Sequence, residues 1–416
     1  MPVVPFLPYA GRSLPCAEVG SRPHLVDATM FWSATGGGVR RYLLGKRSWL
    51  WRHRWRHTIV APGATGQGLV DCGGLPLPGS GGYRLPLARA RATQQLVRLA
   101  PDLIEVGDPY RLAWSTLDAG QRLGVPVLAF CHSNLIALAM RAAGGEGPLA
   151  RSAGRAAARY LRHTYARFDV VLAPSRAMAG VLADVGVKRV LVQPLGVDTG
   201  VFHPRERDAG WKRELGVSDA TRVLLYAGRF APEKNLALLA EAVRWLGPDY
   251  LLVCVGAGPK PPPAGEQVRV LAHQHGSQQL ARMLASADLF VHAGDQESFG
   301  LAALEAMACG TPVVLRRAAG LAELLGEGEV GIGVDSARSH DWAEAIAAAF
   351  AGDRARLGAA ARAVAERHDW NDVMPGLLER YRRLVSDVVV VPGGGGVTQP
   401  AVSWRHPLGV STEDPA

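Results

Sequence analysis

The sequence predicts an α/β protein of two tandem domains, each a parallel sheet covered by helices on both faces. Three observations predict it. The chain has 416 residues, too many for one ordinary domain and suited to two. Short, continuous apolar runs alternate with helical stretches along most of its length, as strands buried on both faces require. Turn residues bound the runs.

The elements follow in order. Residues 1–22, rich in Pro and Gly and without a period, read as a flexible leader. The first domain, 23–194, opens at His24-Leu25-Val26-Asp27. It continues with strands expected at Thr58–Pro62, Leu103–Val106, Pro126–Cys131, Val170–Ala173 and Val190–Gln193, and with helices such as Pro86–Leu99 and Pro148–Ala166. The second domain, 195–369, is expected to carry strands Val223–Ala227, Tyr250–Val255, Val268–Leu271, Leu289–Val291, Pro312–Leu315 and Gly331–Val334. Its helices are placed at Lys234–Trp245, Gln278–Ser286, Gly300–Cys309 and Trp342–Phe350. A last helix over 370–387 is expected to cross back to the first domain. Residues 388–416, with Gly393–Gly396 in a row, read as a disordered tail. Ligands in such sheets bind at the carboxyl ends of strands, so a cleft between the two domains is the expected site.

Composition narrows the class. Hydrophobic residues make up 48% and charged residues 20%, which is globular. No run reaches the ~18 apolar residues of a membrane span, and Met1-Pro2-Val3-Val4-Pro5 lacks the basic region of a secretory signal. Cys16, Cys72, Cys131, Cys254 and Cys309 are odd in number and widely spaced, which suits free thiols in a reducing cytoplasm rather than disulfides or zinc. The net charge of +9 points to polyanionic partners.

The chemistry concentrates in Asp295-Gln296-Glu297-Ser298-Phe299-Gly300-Leu301 and the helix after it. Ser298 is expected as N-cap, with Gly310 and Pro312 closing the helix. Glu297 precedes the helix. Glu305 lies roughly 12 Å further along the axis and within roughly a quarter turn of the same side. Two carboxylates so placed can accept hydrogen bonds from diols at both ends of a nucleotide sugar. The N–H groups of Phe299, Gly300 and Leu301 lie between them, where a diphosphate is welcome. A glutamate before or within a helix is more often simply solvated. The apolar run Leu301-Ala302-Ala303-Leu304 and Ala306-Met307-Ala308 argues otherwise for Glu305, which needs a ligand or a protein donor. In Tyr226-Ala227-Gly228-Arg229-Phe230-Ala231-Pro232-Glu233-Lys234, two cations stand at a strand-to-helix loop. Lys234 in a first helical turn opposes the dipole unless it serves an anion. Ordinary surface cations are the plainer alternative.

With Leu195-Gly196-Val197-Asp198, Phe202 and Pro204, these motifs resemble the retaining glycosyltransferases of family 4, with the GT-B fold of two Rossmann-like domains. The resemblance covers roughly residues 24–385 and is strongest in the second half. It implies that Arg229 and Lys234 bind the donor diphosphate, Glu297 the transferred sugar and Glu305 the ribose. Phe299, Gly300 and Leu301 would meet sugar hydroxyls or phosphate through their backbone. It matches Gly36-Gly37-Gly38-Val39-Arg40 to a phosphate-type turn, so Gly37 and Gly38 join the donor site. His132, in Cys131-His132-Ser133-Asn134, would lie over the sugar and assist transfer with Glu297; a lone histidine is more often structural. No Asp-x-Asp occurs, so neither a metal nor another cofactor is expected, the cations and the helix start serving the leaving diphosphate. Retention on a single face, the leaving phosphate helping to deprotonate the acceptor, follows only from the resemblance.

Residues 40–56 gather Arg40, Arg41, Lys46, Arg47, Arg52, Arg54 and Arg56 among Trp49, Trp51 and Trp55. One reading is an opening helix with Tyr42, Leu43, Leu50 and a Trp inward and the arginines solvated. The other is a surface for anionic membrane, making the protein peripheral on the inner face. The first is preferred, because Arg-x-Arg-x-Arg at 52–56 lacks a clean helical stripe. No nucleic-acid motif accompanies the charge. The expected function is transfer of a hexose, mannose favoured, from GDP-mannose or a UDP-hexose to a glycolipid, polysaccharide or other acceptor. A nucleotide-sugar epimerase and an inactive nucleotide-sugar-binding protein are the alternatives.

Overall fold

The computed structural model describes residues 22–33, 37–78, 80, 82–272 and 276–389. The expected leader (apart from Arg22), Gly36 and the tail from 390 lie outside the described residues. The first half supplies β1 (His24–Ala28), β2 (Arg56–Ala61), β3 (Leu69–Asp71), the short hairpin β4 (Leu75–Pro76) and β5 (Arg84–Leu85), β6 (Leu103–Val106), β7 (Val127–Phe130), β8 (Val170–Ala173) and β9 (Val190–Val192). The second supplies β10 (Arg222–Ala227), β11 (Tyr250–Val255), β12 (Val268–Leu271), β13 (Leu289–His292), β14 (Val313–Arg316) and β15 (Gly331–Val334).

Outside the hairpin every pairing is parallel, in two sheets ordered β3-β2-β1-β6-β7-β8-β9 and β12-β11-β10-β13-β14-β15. In each sheet the strand order reverses beside the first strand, between β1 and β6 and between β10 and β13. Those reversals open the crevices where doubly wound sheets bind ligands. β1, β6, β7, β8, β11 and β13 are buried at every position; that explains why β7, β8 and β11 read as apolar runs without alternation, while β1 and β6 also bury Asp27 and Glu105. The three-residue β3 and the hairpin were not anticipated; they sit among glycines and prolines, where no apolar run marks them.

The last helix runs Trp370–Val389 and packs on both halves of the chain. Trp370 stacks on Tyr42 of the first half at 5.7 Å. The Tyr381 hydroxyl donates to Glu105 Oε2 at 2.5 Å, and Arg380 donates to the Val192 carbonyl at 3.1 Å.

The basic segment forms the helix Gly38–Arg52, with Tyr42, Leu43, Lys46, Trp49 and Leu50 buried. Trp55 is buried as well, and Trp51 stands 70% exposed. Two of its cations are not simply solvated: Lys46 is buried, and Arg41, an arginine expected to be solvated, is part-buried and paired. Lys46 is fully buried and its Nζ donates to Asp27 Oδ1 at 3.0 Å and Glu105 Oε1 at 2.8 Å. His57 Nε2 meets Asp27 Oδ2 at 2.5 Å. Such a cluster costs a great deal to desolvate and holds only because each charge has a partner. It anchors the helix to β1, β6 and the last helix. Burial pushes the Glu105 carboxyl up to about 7 against the opposing pull of Lys46. Arg41, the second exception, belongs to the site.

Cys72, Cys131, Cys254 and Cys309 are buried free thiols. Among the described residues, no helix is long and apolar enough to cross a membrane.

Candidate functional site

All ten residues singled out from the sequence line one cleft between the two sheets. They are Gly37, Gly38, His132, Arg229, Lys234, Glu297, Phe299, Gly300, Leu301 and Glu305. The topology brings them together: Arg229 and Lys234 follow β10, Glu297 follows β13, and these are the neighbouring strands at the reversal. The glycine turn and His132 reach the cleft from the first sheet, after β1 and β7.

The loop after β10 runs two residues further than expected. Pro232–Lys234 is a single 3-10 turn, and Asn235 in left-handed conformation (φ 52°) separates it from the helix Leu236–Leu246. Lys234 therefore does not open that helix, as the sequence suggested. Asn235 Nδ2 donates to the Ala293 carbonyl at 2.9 Å, stitching this loop to the one after β13. Lys234 Nζ then donates to Glu297 Oε1. Arg229 donates to Glu233 Oε1 at 2.7 Å. Each proposed phosphate cation thus holds a carboxylate within its own domain.

Glu297 has a second neighbour: His292 Nε2, at the end of β13, lies 3.1 Å from the same Oε1. Burial alone would raise the Glu297 carboxyl, but the Lys234 charge and the hydrogen bond from His292 outweigh it and hold the group well below the usual carboxylate range.

Ser298 is not the N-cap expected from the sequence. Its Oγ donates to the His132 carbonyl at 2.8 Å, across the cleft. The cap is Gly300, in left-handed conformation (φ 100°), and the helix runs Leu301–Ala308. A Cβ at 300 would come within 2.5 Å of Leu321 Cδ2, so glycine is required both by conformation and by space. With no side-chain cap, the first N–H groups of the helix are left to the cleft.

Glu305 is 1% exposed, and Arg41 supplies the donor that its apolar surroundings demanded: Nη1 bonds to Oε2. Burial raises the Glu305 carboxyl above its ordinary value, and the Arg41 charge offsets this only in part. Arg41 sits one turn into the helix that begins at Gly38, which packs against Leu301. A second bridge joins Arg141 to Asp295 at 2.8 and 3.0 Å. Glu323 accepts from the backbone N–H groups of Arg176 and Ala177, at 3.0 and 2.5 Å.

His132 stacks on Phe130, with centroids 4.3 Å apart and planes 6° apart. Burial, helped by the Lys46 charge, lowers it to about 3, so the imidazole is neutral at physiological pH. Its Nε2 is buried without a partner among the described residues, as are Ser133 Oγ and Gln296 Oε1 in the same cleft. A buried polar atom of this kind is costly unless something bonds to it. The cleft therefore offers neutral polar atoms on one side, cations paired with carboxylates on the other, and a helix start between.

Sequence reasoning missed Arg41, His292, Gln296 and the Arg141–Asp295 bridge. His292 left a faint signal as the polar residue ending an apolar run five positions before Glu297. Arg41 and Arg141 left none, since their partners are 264 and 154 residues away.

The group 1 glycosyl transferase family model matches residues 208–364, and the glycosyltransferase family 4 model matches residues 36–201. Among solved structures, the chain is similar to the sucrose-phosphate synthase of Thermosynechococcus elongatus, with TM-score 0.70 and 19% identity over 88% of this chain and 100% of that one. It is similar too to Anabaena HepE in complex with UDP and glucose, with TM-score 0.67 and 19% identity over 86% and 99%. Both show the GT-B architecture of two parallel-sheet domains. Among curated proteins, a D-inositol 3-phosphate glycosyltransferase of Segniliparus rotundus is 31% identical over 65% of this chain, which spans 64% of that relative's length. A GDP-mannose-dependent alpha-(1-6)-phosphatidylinositol dimannoside mannosyltransferase of Mycobacterium tuberculosis is 30% identical over 320 residues, 72% of this chain and 81% of the relative. With both halves matched and that relative aligned over most of its length, the chain belongs to the group 1, family 4 glycosyltransferases.

Proposed function

We propose that this protein transfers a hexose, mannose favoured, from a nucleotide diphosphate sugar to an acceptor with retention and without a metal. The observation that carries the reading is the convergence of Arg229, Lys234, Glu297 and Glu305 on one cleft with the glycine turn and a neutral His132 opposite. In this scheme the ribose diol takes Glu305, and Arg229, Lys234 and the open helix start take the diphosphate. The sugar meets Glu297 and His132. As the glycosidic bond breaks, charge grows on the leaving diphosphate, and the two cations stabilise it in place. His132 serves as a neutral hydrogen-bonding partner of a sugar hydroxyl. The preference for GDP-mannose rests on the mannosyltransferase relatives; a UDP-hexose is the second choice. The acceptor is a glycolipid or polysaccharide, and any contact with anionic membrane would use the exposed Trp51 with Arg52, Arg54 and Arg56. An epimerase of the same fold would need no acceptor, and no observation favours it.

The test is thermal stability of the metal-stripped protein with GDP, UDP, ADP, GDP-mannose and UDP-glucose. A ligand at 100 times its Kd adds about 2.7 kcal/mol. Stabilisation by one base alone is expected and identifies the donor class. No shift with any of them, with or without magnesium, would overturn the reading.

A further inference from the structure

We propose that His292 is a positioning residue for Glu297: it holds Oε1 of that carboxylate so that Oε2 stays turned to the hydroxyls of the transferred sugar. The assignment rests on the function proposed above. His292 is 3% exposed at the carboxyl end of β13, its ring 5.3 Å from that of Tyr226. The Gly294 N–H donates to its Nδ1 at 3.0 Å. A nitrogen that accepts carries no proton, so the ring proton is on Nε2, the atom 3.1 Å from Glu297 Oε1. Gly294 is part of the device, for a Cβ there would lie 2.5 Å from His292 Cε1 and force the backbone away.

Lys234 and His292 both engage Oε1, and among the described residues no protein donor reaches Oε2. Their roles differ. Lys234 has a flexible stem and a full charge, and a bound diphosphate draws on it. His292 is fixed by the strand end and by Gly294, and it stays when Lys234 turns to phosphate. The imidazole thus keeps one oxygen of Glu297 in place during the step in which its other partner is shared. Partners of this kind orient the groups that touch the ligand and influence turnover through them.

The experiment compares His292→Phe, which keeps the ring and removes the donor, with His292→Gln, whose amide replaces the Nε2–H. His292→Phe is expected to lower kcat about 10- to 100-fold, the scale of one hydrogen bond to a charged group, while affinity for the nucleoside diphosphate alone stays unchanged. His292→Gln should recover most of the loss, and in a Glu297→Gln background His292→Phe should add little. In parallel, nitrogen NMR of the histidine-labelled protein should show an unprotonated Nδ1 and a protonated Nε2 whose resonance moves in Glu297→Gln. An unchanged kcat in His292→Phe, a proportional loss of nucleotide binding, or a proton on Nδ1 would overturn the assignment. A wild-type chain inert towards every nucleotide sugar overturns the proposed function instead. The His292 resonances then still decide whether the imidazole holds the carboxylate.

Discussion

The two glutamates that span the cleft are eight residues apart in the sequence, yet the fold treats them oppositely. Glu297 is held by Lys234 and His292, both from its own domain, and its carboxyl is pushed down. Glu305 is enclosed by an apolar helix, its one side-chain donor among the described residues is Arg41 from the other domain, and its carboxyl is pushed up. The first is a carboxylate kept ionised and aimed whatever the neighbouring domain does. The second is satisfied only while the two domains meet, and under the proposed function a ribose diol would compete with Arg41 for it. One end of the site is built into a single domain; the other reports on the approach of both.

The largest effect that would sharpen this contrast is expected of Lys234→Ala. It removes both the proposed phosphate cation and the charge that keeps Glu297 ionised, so the transfer rate should fall about 10²–10³-fold with circular dichroism unchanged. Activity within a few-fold of wild type would break the scheme. Next come the two carboxamides. Glu305→Gln should weaken nucleoside diphosphate binding by about tenfold or more, whereas Glu297→Gln should leave that binding intact and abolish most transfer. Calorimetry with the nucleotide alone, set beside turnover of the full donor, separates them; equal effects on binding would mean the two ends are not divided as described.

Smaller effects concern stability. Arg41→Met leaves Glu305 buried without its cation and should cost about 1–3 kcal/mol in denaturant unfolding, recovered when Glu305→Leu is added. No recovery in the double variant would show that Arg41 acts elsewhere. The smallest is a difference in pH dependence. A carboxyl depressed in the folded state stabilises above its unfolded value of roughly 4.5, and that contribution fades as the pH falls. Glu297→Gln should therefore lose stability at pH 7, and the loss should begin to shrink as the pH falls below about 4.5 while still being present at pH 3. A raised carboxyl has the opposite sign, so Glu305→Gln should be at least as stable as wild type at pH 7. Urea midpoints of both variants between pH 3 and 8 would test this, and parallel curves would contradict it.

Much of the fold was legible because a strand buried on both faces tends to be a continuous apolar run, and Val127–Phe130, Val170–Ala173 and Tyr250–Val255 are such runs. β3 was not, since three residues among glycines carry no period. The helix at Leu301 was legible, but its cap was not. Ser298 has the right chemistry for a cap, and the His132 carbonyl, 166 residues away, takes its hydroxyl instead. The basic segment misled in a similar way. Lys46 reads as one cation among many, and only the carboxylates of Asp27 and Glu105, brought by two neighbouring strands, make its burial tolerable.

By itself, then, the sequence determined the strands, the two-domain order and the residues that line the cleft, because hydrophobic period, turn chemistry and an acidic pair beside a helix start are local properties. Which donor answers each acid was decided only by the tertiary structure. Arg41 meets Glu305 through the apposition of two domains, Lys234 meets Glu297 through strand order, and His292 meets it through the fold of the loop after β13. A buried charge takes whatever partner the fold brings within about 3 Å, at any distance along the chain.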